Sequence, residues 1–552
     1  MDRPLTAAAR RRRIVARLAL LAATGLALPA QAEDYVPDPT WNHGLIGADN
    51  FAASTYDYRV GKKIARLDNG DVIVASVVPG VGAAAGHQKL GLVRYDAAGV
   101  RQTWSNPGTN GFYDGQYVIT PCVSGLWCGD VKDVKGIYRF GDRVFVLADT
   151  EDFRLESGGG NPPLPVWVAR PSVDVFVFGT DGALQSYGVM DSDAYADDGS
   201  RTVMGGGIAL YDNGSFPTVT SLVYAGTGIV DGIYRPRFAR FKVESDGTLT
   251  SEVDAMEPAF GSYCGPGDFC QFGGIALGGR TTLTSAPRIY VAGSRWHAGP
   301  PPGTIGWDAG WDAFAASLNS SGTPRTGFGS NGLYTTESLA VSSQSGGQKL
   351  VVDGGFGTIS QDEVFLLADV ELACRNGIAV LKLGQSGSAV TTFGINGHVR
   401  YGGSDQASAT SCNLGWLQQS IRADYPTDIV LSNGKLGVSG LNVYGPGVLC
   451  PIGQTCPEDN VDGEVAVIDA ATGALESWRG YAYADTVGAA RSRHSGFWGI
   501  AANGDDSFSV AGDVRYFNQA SVPADQRGRQ MVATLRVAPR GDVIFRNGFD
   551  GS

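Results

Sequence analysis

The sequence lacks the motifs that mark the common catalytic classes. It has no G-x-S-x-G nucleophile elbow and no H-E-x-x-H zinc helix. It has no Walker-type phosphate loop, because the glycine-rich run Gly80 to Gly86 is not followed by Lys-Ser/Thr, and the sialidase-type Asp-box is missing as well. Past Leu28 no stretch approaches the roughly 18 uninterrupted apolar residues of a membrane-spanning helix. Charged residues make up only 18 % of the chain while aromatics reach 10 %, which excludes a disordered acidic chain. There is no Gly-X-Y period for collagen and no heptad pattern for a coiled coil. Positive charge is also short: the net charge is −12, and the first 32 residues carry six Arg and one Asp. Without that +5 the remainder stands at −17, which excludes the basic footprint that phosphate binding needs, so nucleic acid is not expected as a partner.

The basic residues that are present cluster at the front. Arg10 to Arg13 and Arg17 precede the apolar run Leu18 to Leu28 and the A-x-A site Ala30-Gln31-Ala32, the layout of a cleaved signal peptide over residues 1–32. Export to the periplasm or the outside, of the Gram-negative type, is therefore expected, with no transmembrane segment in the mature chain. Eight cysteines, an even number in an exported chain, imply four disulfides. Three pairs share a Cys-x5-Cys spacing, Cys122–Cys128, Cys264–Cys270 and Cys450–Cys456, and the remaining Cys374 and Cys412 are expected to pair with each other. The spacing is wrong for zinc.

A chain of 552 residues exceeds what one ordinary core supports, so repeats are the first thing to seek. One short strand recurs seven times, about 70 residues apart, as Asp71-Val-Ile-Val-Ala-Ser76, Val144 to Asp149, Ser221 to Gly226, Arg288 to Gly293, Val364 to Asp369, Lys435 to Gly440 and Ser507 to Gly512. A shorter strand centred on an aliphatic residue (Ile64, Ile137, Ile208, Ile275, Leu350, Ile429, Ile500) precedes each copy. A third strand follows and ends in a glycine turn at Gly99, Gly182, Gly247, Gly322, Gly387, Gly473 or Gly541, with a weaker fourth strand after it. Four antiparallel strands repeated seven times predict an all-β chain, a seven-bladed β-propeller forming a single domain over 33–552. Blades are expected near 58–110, 131–190, 205–255, 271–337, 347–402, 426–483 and 497–545, with Thr40 to Ile46 as a candidate outer strand closing the last one.

Gly327-Phe-Gly-Ser-Asn-Gly-Leu333, Thr392-Phe-Gly-Ile-Asn-Gly-His398 and Val93-Arg94-Tyr95-Asp96 resemble the delta-60 repeats of exported bacterial β-propellers. That resemblance implies fold and location and brings no catalytic residues with it. Val467 to Trp478 is similar to one repeat of the quinoprotein dehydrogenases, but their adjacent-cysteine pair is missing and no quinone cofactor is expected. Val543 to Asp550 resembles a short tail of some exported Gram-negative proteins.

Loop length is unequal between the two faces of the predicted disc. The turns after first and third strands are short, whereas nearly every insertion follows a second or fourth strand, including Thr150 to Ser172, Asp254 to Phe272, Ser294 to Asp312 and Gly402 to Pro426. Long loops on a rigid scaffold are where function sits. His87, His297 and His494 fall on that face. His297 is accompanied by Arg295, Trp296, Trp307, Asp308 and Trp311, His494 by Arg493 and Trp498, and a third group holds Tyr234, Arg235 and Arg237. Aromatic faces beside Arg and carboxylates suit sugar rings and uronic acids, with His297 or His494 able to move a proton. Two functions follow: a recognition module for an extracellular glycan or protein, or a polysaccharide lyase or hydrolase with its site at the propeller mouth and His297, His494, Arg295, Asp308 and Arg235 as catalytic candidates. Asp191, Asp193, Asp197 and Asp198 form an oxygen-rich stretch suited to calcium, against a simpler reading as a solvated acidic loop.

Overall fold

The computed structural model describes residues 35–38, 40–41, 47–49, 63–79, 88–102, 112–114, 130–157, 165–193, 202–212, 219–230, 233–260, 263–264, 269–280, 285–297, 310–336, 347–354, 361–372, 375–402, 422–444, 460–481, 486–487, 490–491, 494–515 and 528–537. Among them there is no helix, and the strands build a seven-bladed β-propeller of four-stranded antiparallel blades. The inner strands of blades 1 to 7 are Lys63–Arg66, Asp130–Phe140, Val203–Asp212, Phe269–Leu277, Gly347–Asp353, Arg422–Ser432 and His494–Ala502. The second strands are continuous apolar runs because both faces of each blade are covered. Ile73 and Leu92 of blade 1, for instance, share one cluster with Val144, Val146 and Phe176 of blade 2.

The predicted turn chemistry is present. Gly99, Gly182, Gly247, Gly322, Gly387 and Gly473 all have positive φ, which only glycine adopts without strain, and Gly541 lies outside the described residues. The two Phe-Gly-x-Asn-Gly segments connect neighbouring blades. Phe328 and Phe393 are buried, and the amides that follow them donate to the next blade's turn, Gly329 to the Ser386 carbonyl at 2.6 Å and Gly394 to the Thr472 carbonyl at 2.7 Å. A β-carbon on Gly473 would lie 2.4 Å from the Gly394 nitrogen, whereas one on Gly434, also at positive φ, would meet nothing within 4 Å. Gly434→Ala should therefore cost only the backbone strain of about 1–2 kcal/mol, and Gly473→Ala at least about 1 kcal/mol more. Denaturant midpoints of the two variants check this; equal shifts would show that the contact between blades contributes nothing.

Basic side chains reinforce the same seams. Arg94, Arg143, Arg240 and Lys382 donate to the carbonyls of Thr180, Glu244, Ser320 and Ala470, in each case on the turn of the following blade.

Closure differs in detail from expectation. The outer strand of blade 7 is Tyr35–Pro37, antiparallel to Gly528–Val537, and Gly47–Asp49 pairs with the same strand farther along. The expected segment Thr40 to Ile46 lies between these two pairings; Trp41 turns inward and is buried against blade 1, with its ring 6.2 Å from Tyr95. Thr150 to Ser172 is also not a loop throughout: strands Arg143–Ser157 and Pro165–Gly179 pair along their whole length and carry the sheet outward as a hairpin. The period-2 pattern of Phe153 and Leu155 sits opposite Ala169 and Trp167 in that register.

A bulge recurs in the inner strands. Register shifts fall just before Gly136, Gly207, Gly274, Lys349, Asp428 and Gly499, six blades out of seven. Each bulge interrupts the ladder, and at three of them the carbonyls of Gly206, Thr427 and Trp498 accept from lysines of other blades. Among the described residues no helix is long and apolar enough to cross a membrane.

Candidate functional site

The long-loop face carries one cluster in which several sequence candidates meet, at the junction of blades 3 and 4. Tyr234 and Arg235 open the third strand of blade 3, Ile233–Val243. Trp296 and His297 end the second strand of blade 4, Ile289–His297, and Trp311 and Asp312 open its third, Gly310–Leu318. Antiparallel pairing places Phe269, Trp296 and Trp311 at matching register positions on three adjacent strands. The Tyr234 ring lies 5.6 Å from Phe269, and Phe269 lies 5.3 Å from Trp296 with the rings edge to face. Tyr234, Phe269 and Trp296 are all half-buried, so the row keeps part of its surface toward solvent.

Both arginines of the cluster converge on one segment, Tyr263-Cys264. Arg235 donates to the Cys264 carbonyl at 3.3 Å and has the Glu257 carboxylate at 3.8 Å, and the Arg295 guanidinium sits 4.6 Å over the Tyr263 ring. The Cys264–Cys270 disulfide is formed, and both sulfurs are buried with Phe260, Phe272 and Phe314, so the bridge fastens this loop to the blade core. Phe269 would have been hard to select from sequence: it is one residue from a predicted half-cystine and carries no charge.

Other candidates are placed elsewhere. His494 pairs with Arg515 in blade 7, three blades away from His297, so the two histidines do not share one wall. Trp498 occupies the blade 7 bulge, where its indole N–H donates to Asp513. Trp478, in the quinoprotein-like segment, donates to Glu464 at 2.9 Å and packs at a tilt against Tyr401, ring centres 5.8 Å apart, a packing role. Arg237 faces Asp191 at 3.9 Å, and burial pushes the Asp191 carboxyl up despite that guanidinium. Asp193 lies just beyond the strand end, and no group of three or more metal-ligating side chains occurs among the described residues. His87, Arg493, Trp307, Asp308, Asp197, Asp198, Cys122, Cys128, Cys374, Cys412, Cys450 and Cys456 lie outside the described residues, as does the 1–32 leader.

Comparison with known proteins names no family for this chain: no family model matches it, and no curated protein does. Among solved structures it is similar to the β-propeller domain of the Trilobed protease from Pyrococcus furiosus, at 9 % identity and a TM-score of 0.33, covering 89 % of this chain and 99 % of that one. It is similar at 10 % identity and a TM-score of 0.33 to the GH93 α-L-arabinofuranosidase of Fusarium graminearum, covering 79 % of this chain and 97 % of that one. At 9 % identity and a TM-score of 0.33 it is also similar to the acylaminoacyl peptidase of Pyrococcus horikoshii, covering 90 % of this chain and 55 % of that one.

Proposed function

We propose that this chain is an exported recognition module that binds an extracellular glycan through the long-loop face at the junction of blades 3 and 4. The observation that carries this reading is the half-buried row Tyr234–Phe269–Trp296. A sugar ring presents apolar C–H groups on its face and hydroxyls on its rim, which matches an aromatic surface bordered by donors.

Purified protein with its disulfides intact is incubated with a panel of neutral and uronic polysaccharides, and the mixtures are separated by size. Retention of at least one intact polysaccharide is expected, with Trp296→Ala weakening it about thirty-fold, the loss of roughly 2 kcal/mol of stacking and burial. Shortened chains would instead establish the lyase or hydrolase, and substitution of His297 and His494 would then test the proton carriers. If no polysaccharide is retained or shortened, the glycan reading falls and a protein partner takes its place.

A further inference from the structure

The central channel holds chemistry that the long-loop face does not use. Three lysines project into it from separate blades, Lys63 from blade 1, Lys135 from blade 2 and Lys349 from blade 5, around a cavity of about 370 Å3. Gly136 and Gly274 line the same space without side chains. The bulge carbonyls supply acceptors. Lys63 donates to the Trp498 carbonyl at 2.7 Å and pairs with Asp428 at 3.3 Å. Lys135 pairs with Asp133 at 2.9 Å and Asp149 at 3.2 Å. Lys349 reaches across to blade 3 and donates to the Gly206 carbonyl at 2.9 Å.

From this geometry we infer that Lys349 is a nucleophilic amine lining a second site, one that captures small aldehydes reversibly in the channel. The lone pair of its neutral Nζ attacks the carbonyl carbon, the C=O oxygen leaves as water after taking up two protons from the amine, and a C=N bond remains; hydrolysis reverses each step. No oxidant or reductant is consumed. The distinction among the three lysines is electrostatic. Lys63 faces the Asp428 carboxylate, and the Asp149 and Asp133 carboxylates hold Lys135 above the ordinary lysine range even though burial opposes it. Lys349 is brought down to about 7, first by burial and then by the positive charge of Lys63, with Lys135 adding to it and Asp428 and Asp133 opposing. Asp428, Tyr138, Arg66 and Arg139 also line the cavity, and burial raises the Tyr138 hydroxyl so that it stays neutral. A desolvated lysine beside other cations is the setting in which an amine stays reactive near neutral pH.

The test is a short pulse of acetaldehyde with sodium cyanoborohydride on the native protein at pH 6.5, followed by peptide mapping by mass spectrometry. At that pH an ordinary lysine is neutral in only about one molecule in ten thousand, whereas Lys349, brought well below the ordinary lysine range, is neutral far more often. Ethylation of Lys349 is expected at least about tenfold ahead of every other lysine, with a pH profile that levels off near 7 while the others keep rising toward pH 10. Lys63→Met, which removes a neighbouring cation and releases Asp428, should slow the Lys349 mark several-fold. If Lys349 is modified no faster than the surface lysines, or not at all, the inference is overturned; the wild-type map decides this even if the variant fails to fold.

Discussion

Asp362→Ala is expected to lower the stability of the propeller by about 3–5 kcal/mol, the cost of leaving a buried cation without its counterion. Asp362 is fully buried at the start of the second strand of blade 5, Glu363–Leu372, and its partners come from blade 4. Arg288 donates to both carboxylate oxygens, the Gly279 amide donates at 2.7 Å and the Tyr290 hydroxyl at 2.8 Å. Gly278 has to be glycine here, because a β-carbon would run into the carboxylate. Asp362→Asn keeps the volume and part of the hydrogen bonding but loses the charge, so it should fall between wild type and alanine. Denaturant unfolding midpoints give the ranking. A loss below about 1 kcal/mol for the alanine variant would mean that water replaces the carboxylate and that this seam does not hold blades 4 and 5 together.

The same cluster has a pH signature. Burial alone pushes Asp362 up, but the Arg288 hydrogen bond, the Gly279 amide and Tyr290 outweigh it and hold the carboxyl below the ordinary range. A depressed folded value means stability that is complete above the unfolded carboxyl pKa, near 4, and is lost as pH falls below it. The alanine variant should therefore show a flatter decline of stability between about pH 4 and 2 than wild type does.

How legible these features were in the sequence follows from how local they are. Strand repeats and glycine turns are set by residues within one blade, such as Val144 to Asp149 or Gly473, and could be read directly. The Arg288–Asp362 pair spans 74 positions and the Lys63–Asp428 pair 365, and neither has a spacing signature. The channel lysines appeared in the sequence only as first residues of short strands, since their meaning depends on bulges that no single blade reveals. The site candidates divide in the same way. Arg235, Arg295, Trp296 and Tyr234 stand out in the sequence as arginines beside aromatics on the long-loop face, and neighbouring blades bring them together. His494 met the same rule but belongs to blade 7, three blades from His297, so sharing a face does not make it part of the same site.

Closure of the ring is the second large effect. Tyr35 pairs with Val537, is 1 % exposed, and packs at 5.9 Å from Phe508 of blade 7, while its carbonyl accepts the Tyr481 hydroxyl of blade 6 at 3.0 Å. A few residues later Trp41 enters a cluster that joins Ile64 and Val74 of blade 1 to Ala501 and Ala511 of blade 7. One short segment therefore ties three blades, and it joins the first described strand to the last. Tyr35→Ala and Trp41→Ala should each cost about 3–5 kcal/mol, since each removes a buried aromatic ring. Because both act on the same closure, their double variant is expected to lose less than the sum of the two. Removing residues 33–49 has a different consequence: it uncovers the hydrogen-bonding edge of Gly528–Val537, and a bare edge recruits another chain. The shortened protein should form concentration-dependent dimers or larger species by light scattering after gel filtration. A monomer that keeps the wild-type midpoint would show that the first and last blades hold without the strand, and that contacts such as Lys63 to the Trp498 carbonyl are enough to close the ring.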